Sequence, residues 1–136
     1  MIDVTEKPLD AAAILESVRS PGAGAVVTFD GRVREVSKGR KVTHLVYEAY
    51  TSMALQELDK LARESKERWP LEEVSIVHRI GRIEIEESSV FIAVSSAHRA
   101  DAFAACRFLI DTIKEVVPIW KKEYFEDGAV WVEGPH

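Results

Sequence analysis

Apolar residues recur along this chain at two periods. Over 51–68, Ala54, Leu55, Leu58, Leu61 and Ala62 fall three or four apart, on one face of an amphipathic helix that stops at Trp69, ahead of Pro70. Residues 97–117 repeat that spacing, with Phe103, Cys106, Ile110, Ile113 and Val117 as the expected buried stripe and Pro118 as the terminator. A shorter helix is predicted over 8–18, with Ala12, Ile14, Leu15 and Val18 on one side. Strand-like runs lie between: 25–34, 43–50, 72–81 and a short one within 82–88. The run 90–96 is almost wholly apolar, which predicts a central strand covered on both faces. The tail 119–133 predicts a hairpin around Asp127-Gly128. The order of elements predicts an α+β fold, two long helices against a mostly antiparallel sheet, with residues 1–136 as a single domain. No repeat, low-complexity tract or linker interrupts it.

Composition narrows the function classes. At 136 residues, 46% hydrophobic and 30% charged, the chain is long enough to bury a core and has an ordinary globular balance. No apolar run approaches the ~20 residues of a membrane span. The start, Met-Ile-Asp-Val-Thr-Glu, lacks the basic and apolar segments of a signal peptide, so the expected compartment is the reducing cytosol. One cysteine forms no internal disulfide, and the four histidines show no metal-ligand spacing, so no metal or cofactor is expected. A net charge of −5 argues against nucleic acid as partner. Within that acidic whole, Arg-Val-Arg-Glu-Val-Ser-Lys-Gly-Arg-Lys (32–41) is strongly basic, which fits a small anionic ligand.

Candidate chemistry concentrates in four places. Ser96 is read as an N-cap that puts His98 and Arg99 in the first turn of the second long helix. The helix dipole disfavours a cation there, so either an ion pair with a glutamate or a bound phosphate or carboxylate offsets it. Lys114 sits in the last turn of the same helix, where a cation is locally favoured, on a face shared with Arg107 and Asp111. Pro-Ile-Trp-Lys-Lys-Glu (118–123) follows. Its lysines could be a solvated hairpin edge, but the proline turn could also bring Lys114 and Lys121 towards one point. Two close cations lower each other's pKa, which would suit a general acid or base near neutrality. Arg32 and Arg34, at strand spacing, are either a solvated strand end or a fork for phosphate or carboxylate. Cys106 is read as a packing thiol, and His44 and His78 as strand residues without candidate ligands nearby.

Taken in order, Gly-Arg-Val-Arg-Glu (31–35), Tyr-Glu-Ala-Tyr-Thr-Ser-Met-Ala (47–54), the segment 68–83, the segment 89–103, the segment 111–123 and Trp-Val-Glu-Gly (131–134) resemble the large, catalytic subunit family of molybdopterin synthase. The resemblance covers about residues 23–133. It implies an α/β hammerhead-like domain with an additional small antiparallel sheet. It also implies sulfur transfer: cyclic pyranopterin monophosphate receives two sulfurs, from the C-terminal thiocarboxylate of a small ubiquitin-like subunit, and becomes a dithiolene. The implied assembly is a homodimer with one small subunit at each end. By the resemblance Lys114 and Lys121 are catalytic, and Arg32, Val33, Arg34, His98, Arg99, Lys122 and Glu123 bind substrate. The chain ends Val-Glu-Gly-Pro-His rather than in a Gly-Gly tail, so it is expected to need the sulfur carrier in trans.

One geometric consequence follows. His98 and Lys114 stand sixteen residues apart on one helix with no Pro or Gly in 99–117, hence roughly 24 Å apart. A pterin monophosphate spans far less, so the expected pocket is composite: Lys114, Lys121 and Arg34 from one chain, His98 and Arg99 from its mate. Two other classes use the same cations, a non-catalytic binder of a pterin or nucleotide phosphate and an interaction module for a ubiquitin-like tail.

Overall fold

The computed structural model describes residues 1–134; the last two residues of the Val-Glu-Gly-Pro-His ending lie outside the described residues. In chain order the elements are β1 (Ile2–Thr5), α1 (Ala11–Ser17), β2 (Ala25–Arg32), β3 (Val36–Ser37), β4 (Arg40–Ala49), α2 (Thr51–Arg68), β5 (Leu71–Arg79), β6 (Gly81–Glu84), β7 (Ser88–Ser96), α3 (Arg99–Val116), β8 (Ile119–Phe125) and β9 (Val130–Glu133). The expected α+β class holds, and the strands divide between two sheets.

The first sheet runs β1-β5-β7-β2, with β1 parallel to β5 and the other pairs antiparallel. Alternation along β7 explains its apolar sequence: Val90, Ile92 and Val94 face α2 and α3, while Phe91 and Ala93 face α1. The strand is therefore covered on both sides, as its composition predicted. The larger core joins Leu58 and Leu61 of α2 to Leu109 and Ile113 of α3. Full burial of a leucine such as Leu58 contributes on the order of 2 kcal/mol. On the far side Ile14 and Val18 anchor α1, which begins where Asp10 Oδ1 accepts the amide of Ala13 at 3.1 Å.

The second sheet is a curved half-barrel in the order β3-β4-β8-β9, with β6 added to β4. Its concave side holds Val33, Val42, Leu45, Ile83 and Phe125. The β8–β9 hairpin turns at Gly128, whose φ of 87° is the left-handed region that glycine enters without strain. The hairpin predicted at Asp127-Gly128 is present.

Three expectations need correction. The N-terminal strand β1 and the two-residue strand β3 were not among the expected elements. Phe103 does not belong to the α3 stripe: it is 60% exposed, and Ala102, Ala105 and Leu109 take the buried positions beside Cys106 and Ile113. Ser96 is not the N-cap of α3. His98 occupies that place without a side-chain cap bond, because the Ser96 hydroxyl instead donates to the carbonyl of His98 at 2.6 Å. No helix among the described residues is long and apolar enough to cross a membrane.

Candidate active site

Where the half-barrel meets the first sheet and α3, the chain encloses a cavity of about 730 Å³. This is the size range of small-molecule sites. Phe29 and Val90 wall one side, Leu45 and Tyr47 another, and Ile110, Ile113, Val117 and Ile119 the flank towards the proline turn. Four cations line it: Arg32, Arg34, Lys114 and Lys121.

Each cation arrives by a different local device. Arg32 closes β2, just past a register shift at Gly31, and its Nε donates to Asp30 Oδ2 at 2.8 Å. Arg34 follows the strand, is exposed, and forms no ion pair among the described residues. Lys114 stands in the last turn of α3, which the extended Val117 and Pro118 terminate; it too forms no ion pair among the described residues. Lys121 projects from β8 on the concave face. Lys114 and Lys121 thus flank the proline turn and both line one cavity.

The electrostatics of Lys121 differ from expectation. Its Nζ lies 3.1 Å from Glu123 Oε1 and 3.3 Å from Glu133 Oε2. Burial pulls the ammonium's pKa down, but the hydrogen bond to Glu123 and the surrounding negative charge outweigh it, and the value ends above the ordinary lysine range. Glu123 shows the converse. Burial raises its carboxyl, yet hydrogen bonds from Lys121 and Ser37 outweigh that and hold it below the usual carboxylate range. The Ser37 hydroxyl donates to Glu123 Oε2 at 2.9 Å, and Lys38 approaches at 3.6 Å. Lys121 is therefore a firmly charged ammonium, not the depressed acid-base lysine anticipated from two neighbouring cations. Its carboxylate partner, two residues along on the same strand face, reverses the sign.

The other residues singled out in the sequence are placed as follows. Val33 is buried in the half-barrel core, and its backbone amide and carbonyl are both engaged, with Glu87 and Glu86. Its side chain is therefore closed to a ligand, and its place between Arg32 and Arg34 spaces the two guanidinium groups. Lys122 points away from the cavity, since side chains alternate along β8, and donates to Glu48 Oε1 at 2.9 Å. Glu123 lines the cavity but is engaged with Lys121, Lys38 and Ser37. His98 and Arg99 are exposed at the opposite end of α3 and do not line the cavity of their own chain. Arg107 and Asp111 form a surface pair at 3.6 Å. Cys106 is a buried thiol, pushed by burial up to about 11, which suits packing rather than nucleophilic chemistry.

Sequence reading missed several lining residues: Ser37, Tyr47, His78, Ser89 and Glu133. For Glu133 the signal was the hairpin itself, because its register pairs Lys121 with Glu133. For Tyr47, His78 and Ser89 there was none, as three different strands bring them together. Among the described residues no group of three or more histidine, cysteine, aspartate or glutamate side chains is placed to hold a metal ion.

Comparison with known proteins bears on this cavity. The family model described as MoaE protein matches residues 4–116. A molybdopterin synthase catalytic subunit of Halalkalibacterium halodurans is 50% identical over 129 residues, covering 95% of this chain and 83% of that one. One from Thermoplasma volcanium is 48% identical over 127 residues, covering 93% of each. The crystal structure of molybdopterin synthase from Staphylococcus aureus superposes with a TM-score of 0.92 at 45% identity, covering 98% of this chain and 96% of that one. Sequence, fold and the shared span agree, and the chain belongs to the MoaE protein family.

Proposed function

We propose that this chain is the catalytic subunit of a molybdopterin synthase. It transfers two sulfurs from the C-terminal thiocarboxylate of a small ubiquitin-like carrier to cyclic pyranopterin monophosphate, forming the dithiolene of molybdopterin. The carrying observation is the convergence of Lys114 and Lys121, from α3 and β8, on one cavity that also receives Arg32 and Arg34. The fork of Arg34 suits the cyclic phosphate. Lys121 stays charged at neutral pH and so serves as a fixed positive centre for the anionic thiocarboxylate and for charge that develops as sulfur attacks. Lys114, without a carboxylate partner among the described residues, is the better placed of the two to give up or take a proton. Residues 1–136 act as one catalytic domain in the cytosol.

The pocket is shared between two copies. Lys114, Lys121 and Arg34 come from one chain; His98 and Arg99, exposed at the far end of α3, come from its mate. In a two-fold dimer a Lys114→Ala chain paired with an Arg99→Ala chain leaves one site intact and one doubly damaged. Mixing the two variants should restore activity above either alone; no recovery refutes the shared pocket. The function itself is tested by product analysis after mixing the chain with a thiocarboxylated carrier and the cyclic pterin. Dithiolene formation supports the enzyme. Pterin binding without dithiolene identifies a passive binder, and affinity for the carrier alone identifies a tail-recognition module.

A further inference from the structure

The cavity wall holds an imidazole that sulfur transfer does not use. His78, on β5, is 5% exposed and lines the cavity. Its Nδ1 lies 2.8 Å from the carbonyl oxygen of Arg79. A carbonyl only accepts, so Nδ1 carries the proton and Nε2 presents a lone pair. Among the described residues, the one buried side-chain nitrogen or oxygen with no partner is Nε of Arg79. Nε2 of His78, which has no protein partner, therefore keeps contact with solvent, and the space its ring lines is the cavity. Burial holds the imidazole down to about 4, so the ring is a neutral acceptor at physiological pH.

Two neighbours reinforce that polarity. Tyr47 meets the His78 ring edge-on, at 5.0 Å between centroids and 70° between planes. Ser89, which also lines the cavity, donates its hydroxyl proton to the carbonyl of Gly31 at 3.0 Å. The Tyr47 side chain lines the cavity, and a phenolic oxygen accepts as well as donates. Cations line the cavity for an anionic group; this wall offers acceptors to a group rich in N–H.

We infer that His78 determines which heterocycle the cavity takes, by accepting at Nε2 a hydrogen bond from an N–H of the ligand's ring, with Tyr47 as a second acceptor beside it. In a pterin the amino and lactam N–H groups of the pyrimidinone edge supply such donors. This rests on the reading of the cavity as a pterin site.

The experiment compares the unaltered protein with His78→Leu and His78→Gln, measuring the Kd for the cyclic pterin, the affinity for the carrier, and turnover at saturation. His78→Leu keeps volume and removes the acceptor. His78→Gln carries an amide oxygen close to where Nε2 stood. The expected result is a Kd raised about ten-fold by Leu and largely restored by Gln, with carrier affinity unmoved. A folded His78→Leu with unaltered pterin affinity overturns the proposal, and so does a Gln variant as weak as Leu. Should His78→Leu not fold, the unaltered protein with a pterin methylated at the lactam and amino nitrogens decides: about ten-fold weaker binding supports the proposal, equal binding refutes it. Failure of the broader reading looks different, since the unaltered protein would then make no dithiolene at all.

Discussion

Lowering the pH from neutrality loads a proton onto His78 in the unfolded chain well before the folded protein accepts one. The ordinary imidazole value is 6.5, and burial takes it to about 4 in the fold, a gap worth about 3 kcal/mol at ~1.36 kcal/mol per pH unit. The sign follows from proton counting. Between those values the unfolded state binds more protons, so stability falls as pH falls. The contribution is complete above about 6.5, shrinks below it, and is gone by about 4. Glu123, Glu87 and Asp127, all held below their ordinary range, lose stability in the same direction but at lower pH. A His78→Gln variant cancels them from the comparison. Urea unfolding of both proteins across this window, checked by imidazole proton NMR, measures the difference. The unaltered protein should lose about 3 kcal/mol more than the variant. Parallel stability profiles, or an imidazole that titrates near 6.5 in the folded state, would refute a neutral, buried ring.

Three further outcomes can be checked alongside. Lys114→Ala and Lys121→Ala should each lower dithiolene turnover by about 100-fold or more while the unfolding transition of Lys114→Ala stays in place; near-normal product from either removes that lysine from the chemistry. Glu123→Gln removes the carboxylate that outweighs burial at Lys121, so the lysine's pKa should drop and the alkaline limb of the pH–rate profile should move to lower pH, with about 3 kcal/mol of stability lost. An unmoved alkaline limb would show that Glu123 does not hold Lys121. Lys122→Ala, which severs only a surface contact with Glu48, should leave turnover and Tm unchanged.

The helix α2 was legible because its apolar stripe and the proline after it agree at both ends. The interior strand β7 was legible because its run of apolar residues has no solvent-facing period. Alanines blurred α3: Ala102 and Ala105 carry little hydrophobic signal, so Phe103 looked like core although the helix turns it to solvent. The strand β1 is four residues held by pairing with β5 some seventy positions away, together with an ammonium bond from Met1 to Ser75 Oγ at 3.1 Å, and nothing local announces it. At the site, the period-two alternation of a strand already put Lys121 with Glu123 and Lys122 on the other side, so the misjudged sign of the lysine's pKa came from weighing cations without the carboxylate between them. His78 was passed over because Tyr47, whose ring meets its own, and Ser89, which lines the same cavity, lie on other strands, and no spacing within one segment encodes that meeting.

The lysines reach their cavity from two separately cored layers, Lys114 from the helix that covers the first sheet and Lys121 from the half-barrel. Two of the chain's passages between the layers, at Tyr50 and at Pro118, are stitched by one bond from the Tyr50 amide to the Pro118 carbonyl at 3.2 Å. The span between the two ammonium groups is consequently a property of this joint and not of either core. Ala49 and Ile119, paired across it, pack against the larger core, so a substitution at either position moves the reactive geometry and that packing together. An engineer wishing to fit a bulkier ring would have to change both at once.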